Sequence, residues 1–156
     1  MTAQLLAFRK PPPAGARALL EAVVELHALI SIDPVMGASP VRAYFVFNPA
    51  AKAQIAAAVD AADTTREPTA YAVVAYDFAF ALHLIGIAGR PVDRARAEAI
   101  ASASAELQRA AFEAAAHALG IEAQAVAAFD ADALKAVFFP STQETVTHLF
   151  RLELQP

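Results

Sequence analysis

The chain has 156 residues, 12 Lys and Arg against 16 Asp and Glu, a net charge of −4 with histidines neutral, 58% hydrophobic residues and no cysteine. That length suits one domain over 1–156, and the hydrophobic share excludes a disordered chain. The acidic balance argues against a nucleic-acid grip, which needs clustered Lys and Arg, and the lack of cysteine excludes disulfides, zinc ribbons and thiol nucleophiles.

The hydrophobic share also exceeds the ~45–50% usual for soluble domains. A small chain hides a limited fraction of its surface, so a homodimer is expected. No stretch reaches the ~18 apolar residues of a membrane span. The longest run, Phe78–Gly89, is too short and contains His83. Met1–Phe8 has no basic region and no cleavage-like site, so a soluble cytoplasmic protein is expected.

Pro11–Pro13 separates a short leader from a helix expected over about Ala14–Ile30, where Leu19, Val23, Leu26 and Ile30 share one face. Ser31–Pro40 reads as a loop, punctuated by Asp33-Pro34 and Gly37. Val41–Phe47 is a strand. Asn48 then caps a helix with Pro49 at its first position, running to about Ala62. Tyr71–Tyr76 is apolar on both faces, as a central strand requires. Asp77, which ends it, reads as a turn or helix cap, or as a residue lining a crevice at the strand end.

Pro91 opens a long helix to Leu119, with Gly120 just past its end. Ile121–Ala128 is a short strand candidate, and Phe129-Asp130 caps a helix over about Ala131–Val137. Thr145–Leu154 alternates. Val146, His148, Phe150, Leu152 and Leu154 fall on one side, and Thr145, Thr147, Leu149, Arg151 and Glu153 on the other. The fold class is α+β, an antiparallel or mixed sheet of about four strands packed by helices.

Few residues announce chemistry. No two of His27, His83, His117 and His148 stand at helical ligand spacing, so no metal is expected. Ser39, Ser102, Ser104 and Ser141 lack a nucleophile elbow, and the five glycines form neither a Walker loop nor a Rossmann triad. No catalytic residue is assigned.

Two segments carry a resemblance. Ala114–Phe139 holds Ala-Leu-Gly-Ile, a strand, Phe-Asp and a short helix ending in Phe138-Phe139; Ser39–Ile55 holds Ser-Pro-Val-Arg, a strand and Asn-Pro-Ala-Ala-Lys. With Val-Val-Ala-Tyr-Asp at 73–77 as a central strand, the chain resembles the nitroreductase family, in its malonic-semialdehyde-reductase-like branch, from about Pro12 to Leu154. The resemblance implies an FMN-dependent oxidoreductase that takes hydride from NAD(P)H and reduces a nitro or carbonyl compound, with the flavin between the subunits of an intertwined homodimer.

It also implies where the cofactor would touch. Gly37 and Ser39 fall in or beside the flavin-contacting loop. Val126, Ala127 and Ala128 are further candidates, in a stretch where the family's Pro-Met-x-Gly has become Ala125-Val126-Ala127-Ala128. Arg9, Lys10 and Arg66 are the candidate phosphate cations, with Arg42 and Arg151 as further options. The chain departs from the pattern at Thr2-Ala3-Gln4, at the apolar Pro34, Val35 and Met36, and at Gln143-Glu144, where the family has a cation. The alternative implied by this degenerate site is a cofactor-free homologue that binds a small molecule or a partner subunit.

Overall fold

The computed structural model describes residues 14–30, 40–60, 66–87, 93–141 and 143–156. Along the chain these form α1 (Ala14–Leu29), β1 (Val41–Val46), α2 (Pro49–Ala57), β2 (Ala70–Tyr76), α3 (Phe78–Ile87), α4 (Arg94–Ala118), β3 (Ile121–Ala125), α5 (Ala131–Phe138) and β4 (Thr145–Leu154). The strands make one antiparallel sheet in the order β1-β2-β4-β3. The architecture is α+β with four strands, as expected, and every pairing is antiparallel.

β2 is the central strand that its two-faced apolar pattern predicts, and all seven of its residues are buried. Alternation along the sheet divides the core into two layers. Val41, Ala72, Val74, Ile121, Phe150 and Leu152 pack with α1 and α4, through Leu19, Leu26, Ala101 and Phe112. Val46, Tyr71, Val73, Ala75 and Leu149 pack with α2 and α5, through Ile55, Leu134 and Phe138. In the first layer Phe112 lies stacked between Phe45 and Phe150, with ring centroids 6.3 and 4.4 Å away.

Strict alternation puts Val146 on the side of Phe150 and Leu152; the structure puts it in the other layer, with Leu149. The register explains the difference. Val74 pairs with His148 but Ala75 pairs with Val146, so Thr147 is an extra residue in β4. A bulge of this kind shifts everything on one side of it to the opposite face.

Several boundaries also move. α2 stops at Ala57 instead of continuing to Ala62, because Val59 bridges to Phe129 and the Asp130 N–H donates to the Ala58 carbonyl at 2.8 Å. β3 ends at Ala125, short of Ala128. α4 begins at Arg94, capped by Asp93, whose Oδ1 accepts from the Arg96 N–H at 2.8 Å; Pro91 lies outside the described residues. α3 has no counterpart in the periodicity, which shows only an apolar run. Asp77 opens it as an N-cap, its Oδ1 accepting from the Phe80 N–H at 2.9 Å. Other caps stand where expected. Asn48 Oδ1 accepts from Ala50 and Asp130 Oδ1 from Ala133, and Gly120 takes φ 73°, the left-handed turn that ends α4.

Candidate functional site

The β3 edge of the sheet carries a charged groove of about 200 Å3 lined by Arg66, Glu122, Gln124, Arg151 and Glu153. Pairing explains the convergence. In β4, Arg151 stands opposite Gln124 of β3 and Tyr71 of β2, while Glu153 stands opposite Glu122. Residues that alternate onto one face of neighbouring strands meet there. Arg66 arrives from the segment before β2.

Each group in the groove has a distinct state. An Arg151 Nη2 hydrogen donates to the Arg66 carbonyl, which ties the segment before β2 to the sheet. The Glu153 carboxylate accepts from both the N–H (3.0 Å) and the hydroxyl of Thr69, so it is already engaged. Burial pushes the Tyr71 hydroxyl above its ordinary value, with the Arg151 charge opposing and Glu67 adding to the rise. The Arg66 side chain is exposed, and its guanidinium makes no hydrogen bond or ion pair with a described residue. The groove therefore sets two guanidiniums, one of them with an N–H already bonded, and one amide beside two carboxylates, whose charges balance those of the guanidiniums. Of these, the Arg66 guanidinium and the Gln124 amide are the donors of a kind that oxyanions accept from.

The next candidates lie past the other end of β3. The Val126 N–H donates to the Leu149 carbonyl at 2.9 Å and its side chain is buried at 8% exposure, so it belongs to the core. Ala127 and Ala128 are exposed, and Ala128 lines a separate cavity of about 400 Å3 with Ala57, Val59, Asp60 and Phe129. The structure therefore brings Arg66 together with Arg151 and not with Val126, Ala127 or Ala128. Arg9, Lys10, Gly37 and Ser39 lie outside the described residues.

Glu144, the acid where the resemblance expects a cation, is buried at 6% exposure. One oxygen lies 3.4 Å from Arg42 Nε; the other, Oε2, has no hydrogen-bond partner among the described residues. It sits beside the start of β4, at the opposite end of that strand from Arg151.

His148, on the other face, meets Glu106 of α4 at 3.4 Å through Nε2 and the Thr147 hydroxyl at 3.0 Å through Nδ1. Burial lowers its pKa, against the pull of Glu106. Among the described residues no group of three or more acidic or histidine side chains could hold a metal ion. No described helix is long and apolar enough to cross a membrane.

Sequence reasoning missed Gln124, Glu122 and Glu153 in the groove, and Thr69, which holds Glu153. Their alternation within each strand was readable, but which strands neighbour each other is not written in any single segment.

No family profile matches the chain. A curated Ralstonia nicotianae protein, named as an NADH dehydrogenase/NAD(P)H nitroreductase, is 32% identical over 137 residues, covering 81% of this chain and 70% of the relative. Among solved structures, a nitroreductase family protein of Streptococcus pneumoniae superposes with a TM-score of 0.67 at 11% identity, over 96% of this chain and 84% of that one. A nitroreductase of Exiguobacterium sibiricum in complex with FMN gives 0.67 at 11%, over 93% and 90%. An NAD(P)H:FMN oxidoreductase of Staphylococcus epidermidis gives 0.65 at 11%, over 95% and 90%. These structures establish a shared fold, and the Ralstonia relative establishes kinship in sequence: the chain belongs to the nitroreductase family.

Proposed function

We propose that the protein is an NAD(P)H-dependent oxidoreductase of the nitroreductase type that reduces a nitro or carbonyl compound with FMN as its cofactor. FMN, when bound, supplies the hydride chemistry; the protein supplies grip and orientation. The observation that carries this reading is the exposed Arg66 guanidinium, uncommitted to any described residue, above a groove it shares with Arg151 and Gln124. These side chains would hold the phosphate, joined by Arg9 and Lys10 from the leader. Gly37 and Ser39, with Ala127 and Ala128, would border the ring, while Val126 stays in the core. Glu122 opposes this role, because a carboxylate beside a phosphate repels it.

The two-subunit arrangement is part of the proposal. A homodimer would cover apolar surface such as the exposed Val24, Leu29 and Leu107, and would place the flavin between protomers.

The test is the visible spectrum of the purified protein and a titration with FMN followed by flavin fluorescence. Saturable quenching is expected, weakened about 10–100-fold in Arg66→Glu. One charge-assisted hydrogen bond is worth ~1.5–3 kcal/mol and each 1.4 kcal/mol is tenfold. A colourless protein that ignores added FMN refutes the proposal.

One observation favours a second reading, a cofactor-free homologue that binds a small molecule or a partner subunit. Glu144 puts a buried carboxyl group, one oxygen of which has no hydrogen-bond partner among the described residues, where the resemblance expects a cation. Sub-micromolar FMN binding removes that reading.

A further inference from the structure

The opposite edge of the sheet, formed by β1, borders a third and larger cavity of about 600 Å3, between the start of α2 and the end of α5. Tyr44 is half-buried on its wall, with Phe138 and Phe139, 8% and 2% exposed, packed against it. Tyr44 stands edge-on to Phe139, with ring centroids 4.8 Å apart and planes at 80°, and lies tilted against Phe138 at 6.1 Å. Its rim is polar but uncharged, made of Asn48, Gln54 and Ser141. Asn48 is committed to capping α2. The Tyr44 hydroxyl, the Gln54 amide and the Ser141 hydroxyl make no hydrogen bond with a described residue.

Three features select the occupant. The volume falls within the ~300–1,000 Å3 of small-molecule sites, which are mostly apolar with a few placed polar groups. The half-buried Tyr44 ring gives a flat π-system an aromatic surface to lie against. Among the described residues no Lys, Arg, Asp or Glu lines the cavity, so a charged ligand would lose hydration without a counter-charge from them. We infer that this cavity is a binding site for a neutral, planar aromatic compound bearing an amide or hydroxyl edge, distinct from the Arg66 groove. The two lie at opposite edges of a four-stranded sheet, about three strand spacings or ~14 Å apart.

The probe is benzamide, with benzoate as its charged counterpart, followed by saturation-transfer NMR on the ligand. Ala50→Trp and Gln54→Trp, both at exposed positions of α2 lining the cavity, serve as plugs, with circular dichroism to confirm folding. Saturable benzamide binding is expected, with benzoate at least about tenfold weaker and benzamide binding weakened about tenfold or more in both plugged variants. The FMN titration is unchanged in those variants, whether the unmodified protein binds flavin or not, so failure of the flavin proposal leaves this test readable. The inference is overturned by non-saturable benzamide binding, by binding that survives both plugs, by benzoate binding as tightly as benzamide, or by FMN binding that falls in parallel.

Discussion

Replacing Phe112 by alanine tests the layer between the sheet and its long helix. The ring is 2% exposed and lies nearly parallel to Phe45 and Phe150, at 15° and 16°. Removing a buried Phe costs ~3–5 kcal/mol through lost transfer energy and the cavity left behind. Each aromatic pair adds ~0.5–1.5 kcal/mol beyond its buried area, so two such pairs place the expected loss in the upper part of that range, about 4–5 kcal/mol. For a chain of about 150 residues, ~2–4 °C per kcal/mol converts this to a fall in Tm of roughly 8–20 °C. The assay is urea unfolding at constant m, with a thermal scan beside it. Leu107→Ala is the control, since Leu107 is on the same helix but 48% exposed and is expected to cost less than about 1 kcal/mol. If the two variants lose equal stability, α4 does not pack on the sheet through Phe112 and the two-layer core is wrong.

Other outcomes follow from single contacts. Asp130→Ala removes the α5 cap that accepts from the Ala133 N–H at 2.9 Å, and is expected to cost ~1 kcal/mol in denaturant unfolding. Gly120→Ala places a Cβ where nothing lies within 4 Å but φ is +73°, so the expected cost of ~1–2 kcal/mol is pure backbone strain. Lys52→Met keeps the buried stem but leaves the Pro68 carbonyl without the Nζ donor now 3.1 Å away; a loss of ~1–3 kcal/mol is expected. His148 has a folded pKa lowered first by burial, so the unfolded chain binds its proton more readily. Stability is unaffected well above pH ~6.5 and declines as pH falls through that value, levelling below the folded pKa. His148→Phe is expected to flatten that part of the stability–pH profile; an unchanged slope contradicts the assignment.

Much of the fold was legible because local chemistry and burial agree in it. Asn48-Pro49, Asp130 and Gly120 mark helix ends with residues whose side chains or backbone do the capping. Tyr71–Tyr76 is apolar on both faces because both faces are covered. α3 was hidden for the opposite reason. Phe-Ala-Phe-Ala-Leu-His-Leu-Ile-Gly-Ile is apolar almost all round, so no period stands out, and only the Asp77 cap betrays it. Thr147 was hidden because a bulge is a relation between two strands, absent from either one alone. The candidate site was readable in part. Arg66 could be named from the sequence, but its meeting with Arg151 depends on pairing across β2, β4 and β3.

The bulge at Thr147 lets β4 serve both layers although its sequence breaks strict alternation. Were Thr147 drawn into the ladder as a paired residue, either Val146 or the Leu149–Leu154 end would have to change face. Deleting it would instead leave Val146 and His148 adjacent and on opposite faces, as they already are, so both ends of the strand would keep their layers. Related chains one residue shorter at this point should therefore carry the same two-layer core.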